Sequence, residues 1–174
     1  LRAEAFEKTD EFEKAAYDYL EASLIDSKTV DYHFKAGKLF YHTQKYQKAL
    51  ESLTEAVVLD GKHFQALQYK AFSHIKVKEF QSAIVAINNA LQLSETFLSY
   101  YTRGVAYDSL NNFNQAIIDY NKVITLNPDY EKAYFALSQV YLKNQQLNKA
   151  LVIANNAVRR FTNNSEVYRN RSSV

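Results

Sequence analysis

Between Phe97 and Tyr130 the chain reads FLSYYTRGVAYDSLNNFNQAIIDYNKVITLNPDY, two apolar-periodic segments joined by Leu110-Asn111-Asn112. Tyr100, Gly104 and Tyr107 fall on one face of the first segment, and Phe113, Ala116, Ile117, Tyr120, Val123 and Ile124 recur at helical spacing in the second. Asn127-Pro128 stops the second segment, because proline lacks an amide donor and disfavours helix in the residue before it. The pattern predicts an antiparallel helix pair with apolar surface left on its outer faces. Such a pair is stable only when copies of itself cover those faces.

Copies are present. A small residue early in the second helix recurs as Ala15, Ala49, Ala83, Ala116 and Ala150, spaced 34, 34, 33 and 34 residues apart. A large apolar residue precedes each by three: Phe12, Tyr46, Phe80, Phe113 and Leu147. A ring precedes each by nine, at Phe6, Phe40, His74, Tyr107 and Tyr141, and a small residue by twelve, at Ala3, Gly37, Ala71, Gly104 and Ser138. Ordinary helix amphipathicity does not hold separate columns in register, so this is a solenoid sequence. The helix pairs are expected over about 30–43 with 46–59, 64–76 with 80–93, and 131–143 with 147–160. Residues 1–9 are expected to be the remnant of a first helix already under way at Leu1, with Asp10 or Thr9 capping the next. Asp60-Gly61 is expected to end a helix through a left-handed glycine, and Thr162-Asn163-Asn164-Ser165 to cap a last one.

At these columns the chain resembles the tetratricopeptide repeat family, whose 34-residue helix-turn-helix pattern runs aromatic, small, aromatic, small-apolar, then proline. The resemblance covers essentially all 174 residues. It departs from the pattern at the closing proline, which only Pro128 supplies; Gly61, Glu95 and Thr162 stand in elsewhere. It implies an all-α, right-handed superhelical α-solenoid of about five repeats plus a partial sixth. Residues 1–174 are then expected to be one array, with repeats about 1–29, 30–63, 64–96, 97–130 and 131–164 and a partial or capping helix at 165–174, as a fragment of a larger protein. Arg103 with Asp119, and Arg2 with Asp18, match an arginine-glycine variant of the repeat and imply an ion pair between paired helices. Lys70 stands in the same column opposite Ala86, with no acid to meet.

Composition narrows the chemistry. No cysteine means no disulfide, no cysteine-ligated zinc and no thiol catalysis, and suits a reducing, cytoplasmic setting. With 47% apolar residues and a net charge of +2 the chain reads as an ordinary water-soluble protein. Charge is nonetheless uneven: residues 1–31 hold nine acids against four bases, and bases dominate the remainder. The four histidines form no metal motif, the three glycines no phosphate loop, and no serine or carboxylate pair has catalytic spacing. His33 and His74 fill ring columns and are expected as packed core rings, His42 on the inner face and His63 in a turn. The expectation is therefore a non-enzyme with no cofactor and no metal.

In the family the first helices line a concave groove where ligands dock. Carried onto this chain, that face holds Phe34, Lys38, Tyr41, Phe72, Lys76, Leu98, Tyr101, Val105, Lys132, Phe135, Gln139 and Lys143, an aromatic and aliphatic track interrupted by lysines. Such a track suits a peptide segment or partner helix with apolar anchors and some acidic residues. The alternative is that the rings merely pack against neighbouring helices. The lysine, asparagine and arginine set by which chaperone-adaptor members grip a C-terminal carboxylate is absent. The expected function is a protein-protein interaction scaffold. Other readings are a targeting segment of a larger enzyme or co-chaperone and a self-assembly module using the array ends. Neither membrane binding nor, on so sparse a basic face, nucleic-acid binding is expected.

Overall fold

The computed structural model describes residues 2–26, 28–162 and 164–174, the side chain of Asn170 excepted. The helix start expected at Leu1 and the Asn163 part of the expected last cap lie outside the described residues. The helices fall into two compact units, Leu1–Ser94 and Glu95–Val174. The first holds α1 (Arg2–Lys8), α2 (Phe12–Ile25), α3 (Val30–His42), α4 (Tyr46–Leu59), α5 (Phe64–Lys76) and α6 (Phe80–Leu93). The second holds α7 (Phe97–Ser109), α8 (Phe113–Leu126), α9 (Glu131–Lys143), α10 (Leu147–Arg160) and α11 (Ser165–Ser172). Within each unit every helix packs on the next in sequence, and α3 also touches α5 as α7 touches α9. This is the all-α solenoid architecture of stacked helix pairs.

The alanine ladder is the seam of each pair. Ala15, Ala49 and Ala83 in the first unit and Ala116 and Ala150 in the second are fully buried. Tyr19, Phe40, Leu53, Leu67 and Ile87 fill the core of the first unit around that seam; Tyr120, Val123, Leu137 and Val140 do so in the second. The small column marks where paired helices approach most closely. A Cβ built on Gly37 would lie 2.6 Å from Leu53 Cγ, and one on Gly104 would lie 2.7 Å from Tyr120 Cε1. Glycine is needed at both for space, not for backbone freedom.

The turns correct two expectations. Asp10 does not cap α2; it takes φ 59°, as Gln44, Lys78, Asn111 and Gln145 take 61°, 63°, 59° and 57° at the same place in later repeats. Each follows the C-cap of a first helix and builds a Schellman stop. In the second repeat Lys45 N–H bonds Phe40 O at 2.8 Å and Gln44 N–H bonds Tyr41 O at 3.1 Å, and the other four turns repeat both bonds. Thr9 belongs to the end of the first helix, where its hydroxyl bonds Ala5 O and Phe6 O. Gly61, expected left-handed, has no positive φ. The turn after α4 is closed instead by the Asp60 carboxylate, which accepts Lys62 N–H at 2.9 Å. Asn127 does the same for Asp129 N–H at 3.2 Å, and Asn164 caps α11 by accepting Glu166 N–H at 2.9 Å. Side-chain turns of this kind do without the missing prolines.

Candidate functional site

In the first unit the expected groove residues come from α3 and α5. Phe34, Tyr41 and Phe72 are half-buried, and Lys38 and Lys76 are exposed. The rings pack on one another around Tyr69, whose centroid lies 6.1 Å from Phe34, 5.5 Å from Tyr41, 5.8 Å from His42 and 5.7 Å from Phe72. The Tyr69 hydroxyl also meets His42 Nε2 at 3.4 Å. Tyr69 was not among the expected residues. Gln68 holds the column that Phe34, Tyr101 and Phe135 fill, and the ring comes from the next residue instead. The rings of this face are thus packed on one another through Tyr69. Among the described residues neither Lys38 nor Lys76 forms an ion pair. Burial and the Lys38 ammonium hold His42 below its ordinary value.

In the second unit the expected residues come from α7 and α9. Tyr101 is wedged between Tyr120 and Tyr130, with centroids at 5.7 and 5.1 Å, and Val105 packs on the same core. Leu98 and Phe135 stay open, 39% and 52% exposed. Lys132 is exposed, Gln139 half-buried, and Lys143 is tied to both oxygens of Asp108 at 2.8 and 2.9 Å. Tyr101, Lys132 and Phe135 share a cavity of about 720 Å³ with Glu131 and Ala157, with Glu166, Val167 and Arg169 of α11, and with Ser173 just after it. The contribution of α11 also went unanticipated. Arg169 follows Tyr168 as Tyr101 follows Tyr100, so a column reading of the last helix would have found it.

The expected ion pairs lie elsewhere, inside the helix pairs. Arg103 donates from Nε to Asp119 Oδ2 at 2.8 Å and from Nη2 to Asp119 Oδ1 at 2.7 Å. Asp119 is 1% exposed, and the carboxylate raises the already high Arg103 pKa. Arg2 and Asp18 repeat the two-point contact at 2.6 and 2.7 Å in an exposed setting. Lys70 finds no ion-pair partner among the described residues, and burial lowers its pKa. His74 is more than a packed ring: its Nδ1 sits 2.8 Å from Glu79 Oε2. His33 is half-buried with its Nδ1 unpaired among the described residues. His63 begins α5, its Nδ1 accepting Ala66 N–H at 3.2 Å. Among the described residues no three histidine or carboxylate side chains gather as metal ligands, and no helix is long and apolar enough to cross a membrane.

The geometry is that of a repeat whose small column sets helix approach and whose ring column ends the first helix. A sequence model of the tetratricopeptide repeat matches residues 98–130, and a second of the same description matches 119–152. The chain belongs to the tetratricopeptide repeat family. Tetratricopeptide repeat protein 6 of Homo sapiens is 29% identical over 159 residues, covering 91% of this chain and 31% of that protein. Peptidyl-prolyl cis-trans isomerase FKBP4 of Bos taurus is 30% identical over 161 residues, covering 87% of this chain and 34% of that protein. This tetratricopeptide repeat chain therefore spans about a third of the length of those relatives. Among solved structures, a crystal structure of MamA superposes with TM-score 0.88 at 25% identity, covering 92% of this chain and 88% of that one. The structure of YrrB, described as a TPR protein with an unusual peptide-binding site, gives 0.86 at 16% identity, over 98% and 88%, a likeness of fold alone.

Proposed function

We propose that the chain is a non-enzymatic protein-interaction scaffold that holds a peptide segment or partner helix on the first-helix faces of its repeats. The observation that carries this reading is open apolar surface beside a cation with no ion-pair partner among the described residues: Phe135, 52% exposed, lines one cavity with Lys132, and Leu98 stands 39% exposed. Apolar anchors beside charged rims are where interface energy concentrates. In the first unit the exposed Lys38 and Lys76 share α3 and α5 with the half-buried rings, whose uncovered parts would supply affinity. The alanine ladder continues in sequence from Ala83 to Ala116, which supports reading residues 1–174 as one array. The absence of cysteine is compatible with a cytoplasmic setting, which is part of the proposal.

Proximity labelling in cells, with the full-length protein carrying a biotin ligase, tests this. The set of labelled proteins should shrink when Lys38→Glu, Lys76→Glu and Phe135→Ala are combined, while the thermal midpoint of the purified variant stays near that of the parent. An unchanged set would overturn the reading. A second reading makes this the recognition segment of a larger enzyme or co-chaperone. It is favoured by relatives named as an isomerase and, in Arabidopsis thaliana, as Hsp70-Hsp90 organizing protein 2, the latter 24% identical over 84% of this chain and 25% of that protein.

A further inference from the structure

We infer that Lys70 is an acylation site, taking a short acyl group from a thioester into the cavity that it lines between α4, α5 and α6. Arg103 and Arg2 meet Asp119 and Asp18 sixteen residues on. Lys70 stands in the same column, but the residue sixteen on is Ala86, 5% exposed. Its half-buried ammonium has neither an ion pair nor a hydrogen bond among the described residues. The cavity measures about 360 Å³, and no carboxylate lines it among the described residues. That volume is near the lower end of the roughly 300–1,000 Å³ usual for ligand sites, which suits a short acyl chain. His74, the other titratable group in the wall, is bonded to Glu79 at 2.8 Å. Glu51 and Glu55 of α4 and His33 of α3 line the adjoining hollow instead. Burial lowers the Lys70 pKa, whereas a hydrogen bond to Asp31 raises that of Lys35.

The neutral amine is the nucleophile, so a lysine held away from both anions and water is the one readied for acyl transfer. The Nζ lone pair attacks the thioester carbonyl carbon and the C–S bond breaks. The sulfur leaves as a thiol, carrying the proton that the nitrogen sheds, and an amide remains. Because the amide is neutral, acylation removes an unpaired charge from a half-buried position. An aldehyde would leave an imine that takes the proton back, and alkylation would keep the charge. Side-chain donors at Thr54, Ser82 and Asn89 are placed to meet the new carbonyl, and Val57, Leu67 and Val85 to flank the acyl chain.

Site-resolved mass spectrometry of the purified chain, incubated with acetyl-coenzyme A at pH 7.5, tests the inference. Lys70 should be acetylated several-fold faster than the exposed Lys38, Lys76 and Lys132, and the preference should vanish in urea. That comparison needs no variant. Ala86→Asp, supplying the acid that Asp18 and Asp119 provide in their own repeats, should remove the preference in the folded chain. Ala86→Asn, of the same size without the charge, should keep it. Lys70→Gln should leave the thermal midpoint near that of the parent, since no counter-ion is stranded. Equal rates at the four lysines of the native chain would overturn the inference. So would a preference that survives Ala86→Asp or is lost equally with Ala86→Asn, or a marked drop in the midpoint of Lys70→Gln.

Discussion

Arg103 and Asp119 illustrate how one residue pair fixes a register. The carboxylate is buried at 1% exposure and receives two charge-assisted hydrogen bonds from a guanidinium flanked by the rings of Tyr100 and Tyr107 at 5.4 and 6.0 Å. Removing only the cation strands a buried charge, so Arg103→Met should destabilise the chain by about 3–5 kcal/mol. Adding Asp119→Leu should restore most of that loss. Urea melts of the single and double variants decide it: equal loss in both would mean that the pair adds stability in its own right. His74 supplies a pH dependence. It faces Glu79 in the following turn and Lys70 on its own helix, and it lines a hollow with His33, Glu51 and Glu55. Burial, the largest cause, holds it below its ordinary value of 6.5 despite the Glu79 carboxylate. The unfolded imidazole therefore takes a proton more readily than the folded one. Its contribution is complete above pH 6.5 and is lost as pH falls from there through the lower folded value. His74→Tyr, the ring type that Tyr107 and Tyr141 place in this column, should flatten the stability difference between pH 7.5 and pH 5.5. Superimposable pH slopes for parent and variant would refute the assignment. The Arg103 pair was legible in the sequence through its resemblance to an arginine-glycine variant of the repeat, matched also by Arg2 and Asp18 at the same spacing. Tyr69 was not, since a ring displaced by one residue breaks the column while still reaching its neighbours in space.

At the scale of elements, the helices follow the apolar periodicity closely, because burying one face of an amphipathic helix is the dominant stabilising term. Their ends were harder to read. The five intra-repeat turns each place a non-glycine residue in the left-handed region, where the Cβ is crowded by backbone. Lys78→Gly and Gln145→Gly should each raise stability by about 0.5–1 kcal/mol, less than the full strain because glycine also gains freedom in the unfolded chain. Asn111→Gly should gain least, as asparagine tolerates this conformation. Denaturant midpoints check the order, and a loss on introducing glycine would show that the side chains at these positions outweigh the strain. Composition pointed to Gly61 as the left-handed residue and was misleading, because the Asp60 side chain satisfies that turn without it. Local chemistry offers several ways to stop a helix, and the packing on either side chooses among them.

At the scale of the molecule, contacts between successive repeats are the part that no column predicts. Lys143 with Asp108 and Arg160 with Asp129 lie 35 and 31 residues apart, each joining one repeat to the next. The first removes a charge, at Lys143, that a sequence reading would leave available to a ligand. Packing also turns Phe34 onto Tyr69 and Tyr41 onto Phe72, and leaves Phe135 open. By itself the sequence determined the repeat length, the helix pairs and the small and ring columns, since periodic burial and close helix approach act between residues at fixed offsets. Only the tertiary structure decided which rings are spent on their neighbours and which cations stay unpaired, because those outcomes depend on side-chain directions and distances between repeats.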